Sequence, residues 1–289
     1  MSSAYRTCCP GKGPRPEFRN LFRASRRAAI RTRVTDFVPR TAADGRQFMY
    51  LFVIRHGEPD YEHDALTPTG QKQAEAVAKR LMVHGIDKVY SSPKGRAKLT
   101  AKPLCDALGL EMHIEPWCSE DEMWPYFAGH YEDLGYDGWA FQQPWQNLRG
   151  GDNFNLGNAD WMKADLHVSI KAEEGYKRLI PASDDFMERL GYRREGSVYK
   201  ILRPGNNDRV ALFCHEGFTM AWMPFMLGIP PHLFWSSFAV TPSGVTCLYF
   251  HDWGDVGKGY TVPHVLGFSD MSHIFHDGLP MNFNGYAEV

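Results

Sequence analysis

The chain's 289 residues are 43% hydrophobic and carry a formal net charge of −2, enough chain to bury a full core without covalent staples. Its six cysteines (Cys8, Cys9, Cys105, Cys118, Cys214 and Cys247) include no CxxC pair, and three lie in apolar runs, which argues against a disulfide framework and a structural zinc. No run reaches the roughly 18 to 20 apolar residues of a membrane span and no apolar signal region follows Met1, so the expectation is a soluble, cytoplasmic protein without a membrane partner.

Residues 1–46 form a basic leader, with eleven Lys or Arg against Glu17, Asp36 and Asp44, a net charge of +8. The remaining 21 basic and 31 acidic residues give the body −10. An Arg-rich, acid-poor leader fits an organelle transit peptide, a nucleic-acid arm, a start codon placed upstream of the true domain, or a plain disordered tail. The body is too acidic to wrap nucleic acid, so no such partner is expected, and an anionic substrate has to be captured by a local pocket. Residues 47–289 are read as one domain.

Residues 49–54 are a continuous apolar run, the pattern of a strand buried on both faces, and the run stops at Arg55-His56-Gly57. Thr67-Pro68 supplies a helix cap, and Ala74, Val77, Ala78, Leu81 and Met82 follow at helical spacing. Residues 87–90 read as a second strand. After Ser91-Ser92-Pro93, a helix carries Ala97, Ala101, Leu104, Cys105 and Leu108 on one face, and 111–115 make a third, shorter strand. From 117 to about 160 the pattern dissolves into Trp, Tyr, Phe, Gly and Asp. This stretch is read as an insertion that folds over the sheet end, either lidding a site or covering apolar surface. A helix is expected from about 159 to 190, bent or broken at Pro181. Residues 197–202 and 210–214 read as strands, the second stopping at His215 before a helix with Met220, Ala221, Pro224, Phe225 and Leu227. Residues 245–250 are the last clear strand, and 260–266 are an edge candidate. Strands alternating with helices predict an α/β layer fold.

Two of these strands end in a histidine where a helix begins, Ile54-Arg55-His56-Gly57-Glu58 and Phe213-Cys214-His215-Glu216-Gly217. Backbone N–H groups and helix N-termini converge at such junctions, and α/β sheets hold ligands there. One such histidine is ordinarily structural; two in equivalent settings point to a shared site.

The set Arg55-His56-Gly57-Glu58, Leu66-Thr67, Gly70, Gln73-Ala74, Tyr90-Ser91-Ser92-Pro93, Arg96-Ala97, Thr100-Ala101 and Cys214-His215-Glu216-Gly217 resembles, in order and type, branch 1 of the histidine phosphatase superfamily, the phosphoglycerate mutase-like group. The resemblance implies a three-layer sandwich with a mostly parallel central sheet flanked by helices, a small phosphorylated substrate, and no metal or organic cofactor. It matches His56 to the nucleophile, Arg55 and Arg96 to two phosphate-gripping arginines, and His215 to a second histidine that donates to the same oxygens. The chemistry is coherent, because a neutral imidazole attacks phosphorus in line while guanidinium forks offset charge on the equatorial oxygens.

The resemblance also calls for a carboxylic acid after the third strand, to protonate the leaving alkoxide and then activate water. Ser119-Glu120-Asp121-Glu122 supplies candidates: Glu120 by spacing, Glu122 as the alternative, or none of them if the run is a solvated loop. Glu58 reads equally as structural or binding. The Asn-containing segment of the phosphoglycerate mutases is replaced by Pro59-Asp60-Tyr61-Glu62-His63-Asp64. The expectation is therefore a phosphomonoester hydrolase with a phosphohistidine intermediate, against a mutase-type phosphotransferase or an inactive phosphate-binding regulator.

Overall fold

The computed structural model describes residues 48–132, 135–150, 163 and 168–281; the basic leader and residues 151–160 of the aromatic segment lie outside them. Six strands make the central sheet: β1 (Phe48–Arg55), β2 (Lys88–Ser91), β3 (Met112–Ile114), β4 (Arg209–Cys214), β5 (Val245–His251) and β6 (Pro263–Asp270). Their spatial order is β6-β5-β1-β4-β2-β3. The four strands from β1 to β3 run parallel, whereas β5 pairs antiparallel with β1 and with β6.

Strand alternation divides the core into two layers. Leu51 and Val53 of β1, with Val210, Leu212 and Cys214 of β4, enter one apolar cluster; Phe52, Ile54, Ala211 and Phe213 enter the other. This is why both strands are apolar at nearly every position. Helices α1 (Pro68–His84) and α2 (Gly95–Leu108) cover one face, contributing Val77, Leu81, Ala101 and Leu104. Helices α3 (Glu120–Phe127), α4 (Ala172–Arg189) and α5 (Glu216–Leu227) cover the other with Phe127, Phe186 and Trp222. The result is the expected three-layer sandwich with a mostly parallel sheet. Local chemistry sets the helix ends: the Thr67 hydroxyl accepts from Gly70 N–H at 3.1 Å, and α1 stops at Gly85, whose φ of 67° suits glycine.

Two expectations are corrected. Pro181 does not break α4: it and Lys177, whose carbonyl loses its donor, sit on the exposed face of the helix, where that carbonyl is open to solvent. The strand expected over 197–202 is present as Val198–Ile201 and joins a separate small sheet with Tyr192–Glu195 and Tyr260–Thr261. The edge expected over 260–266 splits between that sheet and β6. The segment after 117 is also more ordered than its composition implies, holding α3, the hairpin Ala128–Tyr131 with Tyr136–Trp139, and a short helix Trp145–Arg149. No helix among the described residues is long and apolar enough to cross a membrane.

Candidate active site

Sheet register brings the two histidines together. Arg55 of β1 lies opposite Cys214 of β4, and His56 N–H donates to the Cys214 carbonyl at 2.9 Å. Ser92 N–H donates to the Phe213 carbonyl at 2.9 Å, so β1, β4 and β2 end side by side at His56, His215 and Ser92. Both imidazoles are fully buried, with ring centroids 5.1 Å apart.

Hydrogen bonding assigns the His56 proton. His56 Nδ1 lies 2.7 Å from the Gly57 carbonyl oxygen, which can only accept, so Nδ1 carries the hydrogen and Nε2 keeps its lone pair. Burial pushes this imidazole well below the ordinary histidine range; the charges of Arg55 and Arg96 act in the same direction. His215 Nε2 is 2.7 Å from the Ser92 hydroxyl, while its buried Nδ1 has no hydrogen-bond partner and lies 3.7 Å from Glu120 Oε2. Burial, then His56 and the two arginines, hold His215 neutral as well.

Arg96, in the first turn of α2, joins the loops around the histidines. Its Nε donates to His56 Nε2 at 3.3 Å, Nη1 to Asp64 at 2.7 Å and Nη2 to Glu120 at 2.9 Å, while the Tyr61 ring lies 5.3 Å from the guanidinium carbon. Arg55 donates to the Val240 carbonyl at 2.6 Å and pairs with Glu216 at 2.9 Å. Glu120, first residue of α3, also accepts from Gly217 N–H at 3.3 Å. Of the other carboxylates in that run, Asp121 pairs with Lys94 at 2.5 Å, and the exposed Glu122 accepts from Arg178 at 3.1 Å. Glu58 accepts from the Thr67 hydroxyl at 2.6 Å and belongs to the start of α1.

The fold thus brings Arg55, His56, Arg96, Glu120 and His215 into one cluster and leaves Glu122 outside it. Donor atoms of His56, Glu120 and His215 lie within 4.8 Å of one another, a spacing that suits a metal ion. Arg96 occupies the same space, however, and a hollow faced by two guanidinium groups favours an anion over a cation.

Several residues of the cluster had no assigned role in the sequence. Asp64 holds Gly95 N–H at 2.6 Å as well as Arg96, from a left-handed backbone with φ 47°. Burial alone would raise its carboxyl, but the bonds from Gly95 and Arg96 hold it below the ordinary carboxylate value. The Thr100 hydroxyl accepts from Gly57 N–H at 3.0 Å, and Ser92 orients His215. Thr100 and Ser92 stood inside recognisable motifs; Asp64 had no local signal, being brought in from 31 residues before Gly95.

A cleft of about 430 Å³ opens from this cluster, lined by Arg55, Tyr61, Arg96, Glu120, Asp121, Trp124, Trp139, Gln142 and Glu216. Trp124 and Trp139 meet edge to face at 4.7 Å. Trp139 closes over Gly217, where a Cβ would come within 2.4 Å of the indole.

Residues 51–151 match the histidine phosphatase superfamily (branch 1). The chain is 34% identical over 193 residues to the "Probable phosphoglycerate mutase GpmB" of Yersinia pestis, spanning 64% of this chain and 77% of that protein. It is 26% identical to the protein of the same name in Yersinia enterocolitica, with the same coverage. Among solved structures, "Mycobacterial hydrolase 2" matches at 18% identity with a TM-score of 0.50, covering 78% of this chain and 91% of that one, a likeness of fold. On the family match and on the relative aligned over most of its length, the chain belongs to branch 1 of the histidine phosphatase superfamily and is an enzyme of that phosphatase family.

Proposed function

We propose that the protein is a phosphomonoester hydrolase that works through a phosphohistidine intermediate on a small organic phosphate. The observation that carries this reading is the orientation of His56: its Nδ1–H is tied to the Gly57 carbonyl, and its Nε2 lone pair stands among Arg96, Glu120 and His215. In the first step Nε2 attacks phosphorus, the ester P–O bond breaks, and the protonated Glu120 carboxyl gives its proton to the leaving oxygen. In the second, the Glu120 carboxylate takes a proton from water, the water oxygen attacks phosphorus, the N–P bond breaks, and phosphate leaves. Arg55, Arg96 and His215 hold the equatorial oxygens throughout. If the Ser92 hydroxyl donates to His215 Nε2, Nδ1 carries the hydrogen and points it at the phosphoryl group, which gives that buried atom its missing partner.

Residues 47–289 are read as one catalytic domain in which the described part of the aromatic segment, up to residue 150, covers the mouth of the site; Trp124, Trp139 and Gln142 in the cleft wall support this. A cytoplasmic setting is supported by the buried free thiols of Cys105, Cys118 and Cys214. The name of the Yersinia relatives favours a second reading, a phosphoglycerate mutase. Against it stands the segment after Glu58, which carries Asp64 onto Arg96 where the mutases have their Asn-containing segment.

Quenching the enzyme after mixing with a radiolabelled phosphate ester separates these readings. The intact chain is expected to carry acid-labile label and to release free phosphate, and His56→Ala to do neither. Undiminished phosphate release by His56→Ala would exclude the intermediate. Isomerised phosphoglycerate as sole product, with turnover dependent on a bisphosphorylated primer, would establish the mutase.

A further inference from the structure

The hydrolase reading accounts for the phosphoryl end of the cleft; the rest of the lining bears on the leaving group. Arg55 and Arg96 are the cations lining the cleft among the described residues. Each already faces a carboxylate, Glu216 at 2.9 Å and Glu120 at 2.9 Å. At the rim, Lys94 is held by Asp121 at 2.5 Å. A phosphoryl group therefore engages both arginines on entry, and a second anionic group on the same substrate would meet Asp121 or Glu216 with no cation of its own. The repulsion comes chiefly from Glu216, whose side chain is 11% exposed, since Asp121 is 69% exposed and screened by water.

The other available surface is flat and apolar. Trp124 is 43% exposed, and its ring is braced by Trp139, which stacks on Phe141 at 5.5 Å and is wedged against Gly217. A partly open indole fixed by a buried one is a preorganised platform, since ordering it costs little when a ligand arrives.

We propose, resting on the hydrolase reading, that the site selects phosphate esters whose leaving group is neutral and presents a flat apolar face, seated on Trp124, and that it discriminates against carboxylate-bearing esters. Aromatic rings and the C–H faces of sugars share this chemistry.

The test uses three esters with alkoxide leaving groups: benzyl phosphate, glucose 6-phosphate and 3-phosphoglycerate. Calorimetric titration into the full-length His56→Ala protein reads binding without turnover. At least one neutral ester is expected to bind about tenfold more tightly than 3-phosphoglycerate. Adding Trp124→Ala is expected to weaken that ester about fivefold while leaving 3-phosphoglycerate unchanged, and Trp124→Phe to retain most of the affinity. Benzyl phosphate and glucose 6-phosphate separate the aromatic from the sugar source. Binding of 3-phosphoglycerate as tight as both neutral esters, or affinities indifferent to Trp124→Ala, would overturn the proposal. Phosphate release by the unmodified enzyme is scored separately, so a failed hydrolase reading shows as absent release with the binding order intact.

Discussion

Arg96 makes three different contacts through three different nitrogens, to His56, Asp64 and Glu120. Only a guanidinium offers that fork; an ammonium is a single point of charge on a flexible stem. Replacing Arg96 with Ala is expected to lower kcat/KM on the order of a hundred- to thousandfold, as loss of one preorganised donor does. Arg96→Lys is expected to recover little of that, because it restores charge without restoring the alignment of the three partners. Steady-state kinetics on a hydrolysed ester checks both, and an Arg96→Ala enzyme of unchanged efficiency would remove this side chain from the site.

At the scale of elements, the junction between α2 and the short hairpin of Pro59–Asp60 with Ala65–Leu66 controls how Arg96 is presented. A Cβ on Gly95, the first residue of α2, would lie 2.1 Å from the Asp64 carbonyl oxygen. That oxygen is backbone, so either the hairpin or the helix N-terminus must shift, and both carry the Asp64 to Arg96 contact. Gly95→Ala is expected to cost about 1 to 3 kcal/mol in urea unfolding, the usual range for overpacking, and to lower kcat in parallel. Full stability with full activity would mean that the close approach is not needed.

For the whole molecule, the buried histidines make stability depend on acid in a definite direction. His56 and His215 are held below the ordinary histidine value, and burial with the Arg80 charge brings His273 down to about 4. An unfolded chain protonates these rings near pH 6.5; the native one does not. Between pH 6.5 and about 4 the unfolded state binds more protons, so acidification favours it, by up to about 1.4 kcal/mol per pH unit for each ring. The Tm is expected to fall steadily from pH 7 to pH 5, with a shallower fall in His273→Gln. A Tm flat across that range would contradict the assigned neutral imidazoles.

What was legible in the sequence followed from periodicity along the chain. A strand buried on both faces must be apolar throughout, so histidines ending the runs before residues 56 and 215 stand out, and the alternation of strands with capped helices specified the layered fold. Proline at 181 misled because local sequence does not say which helix face meets water. Spacing left Glu120 and Glu122 as alternatives. The helix decided between them, because residues two apart on α3 point roughly 200° apart, toward Arg96 in one case and Arg178 in the other. Asp64 on Arg96, Ser92 on His215 and Trp139 over Gly217 join segments distant in the chain, and no local pattern encodes such meetings. Sequence alone determined the layer architecture and the residue types at the strand ends. Tertiary structure decided the His56 tautomer, the acid that joins the cluster and the walls of the cleft, because these depend on which surfaces pack together once strand register is set.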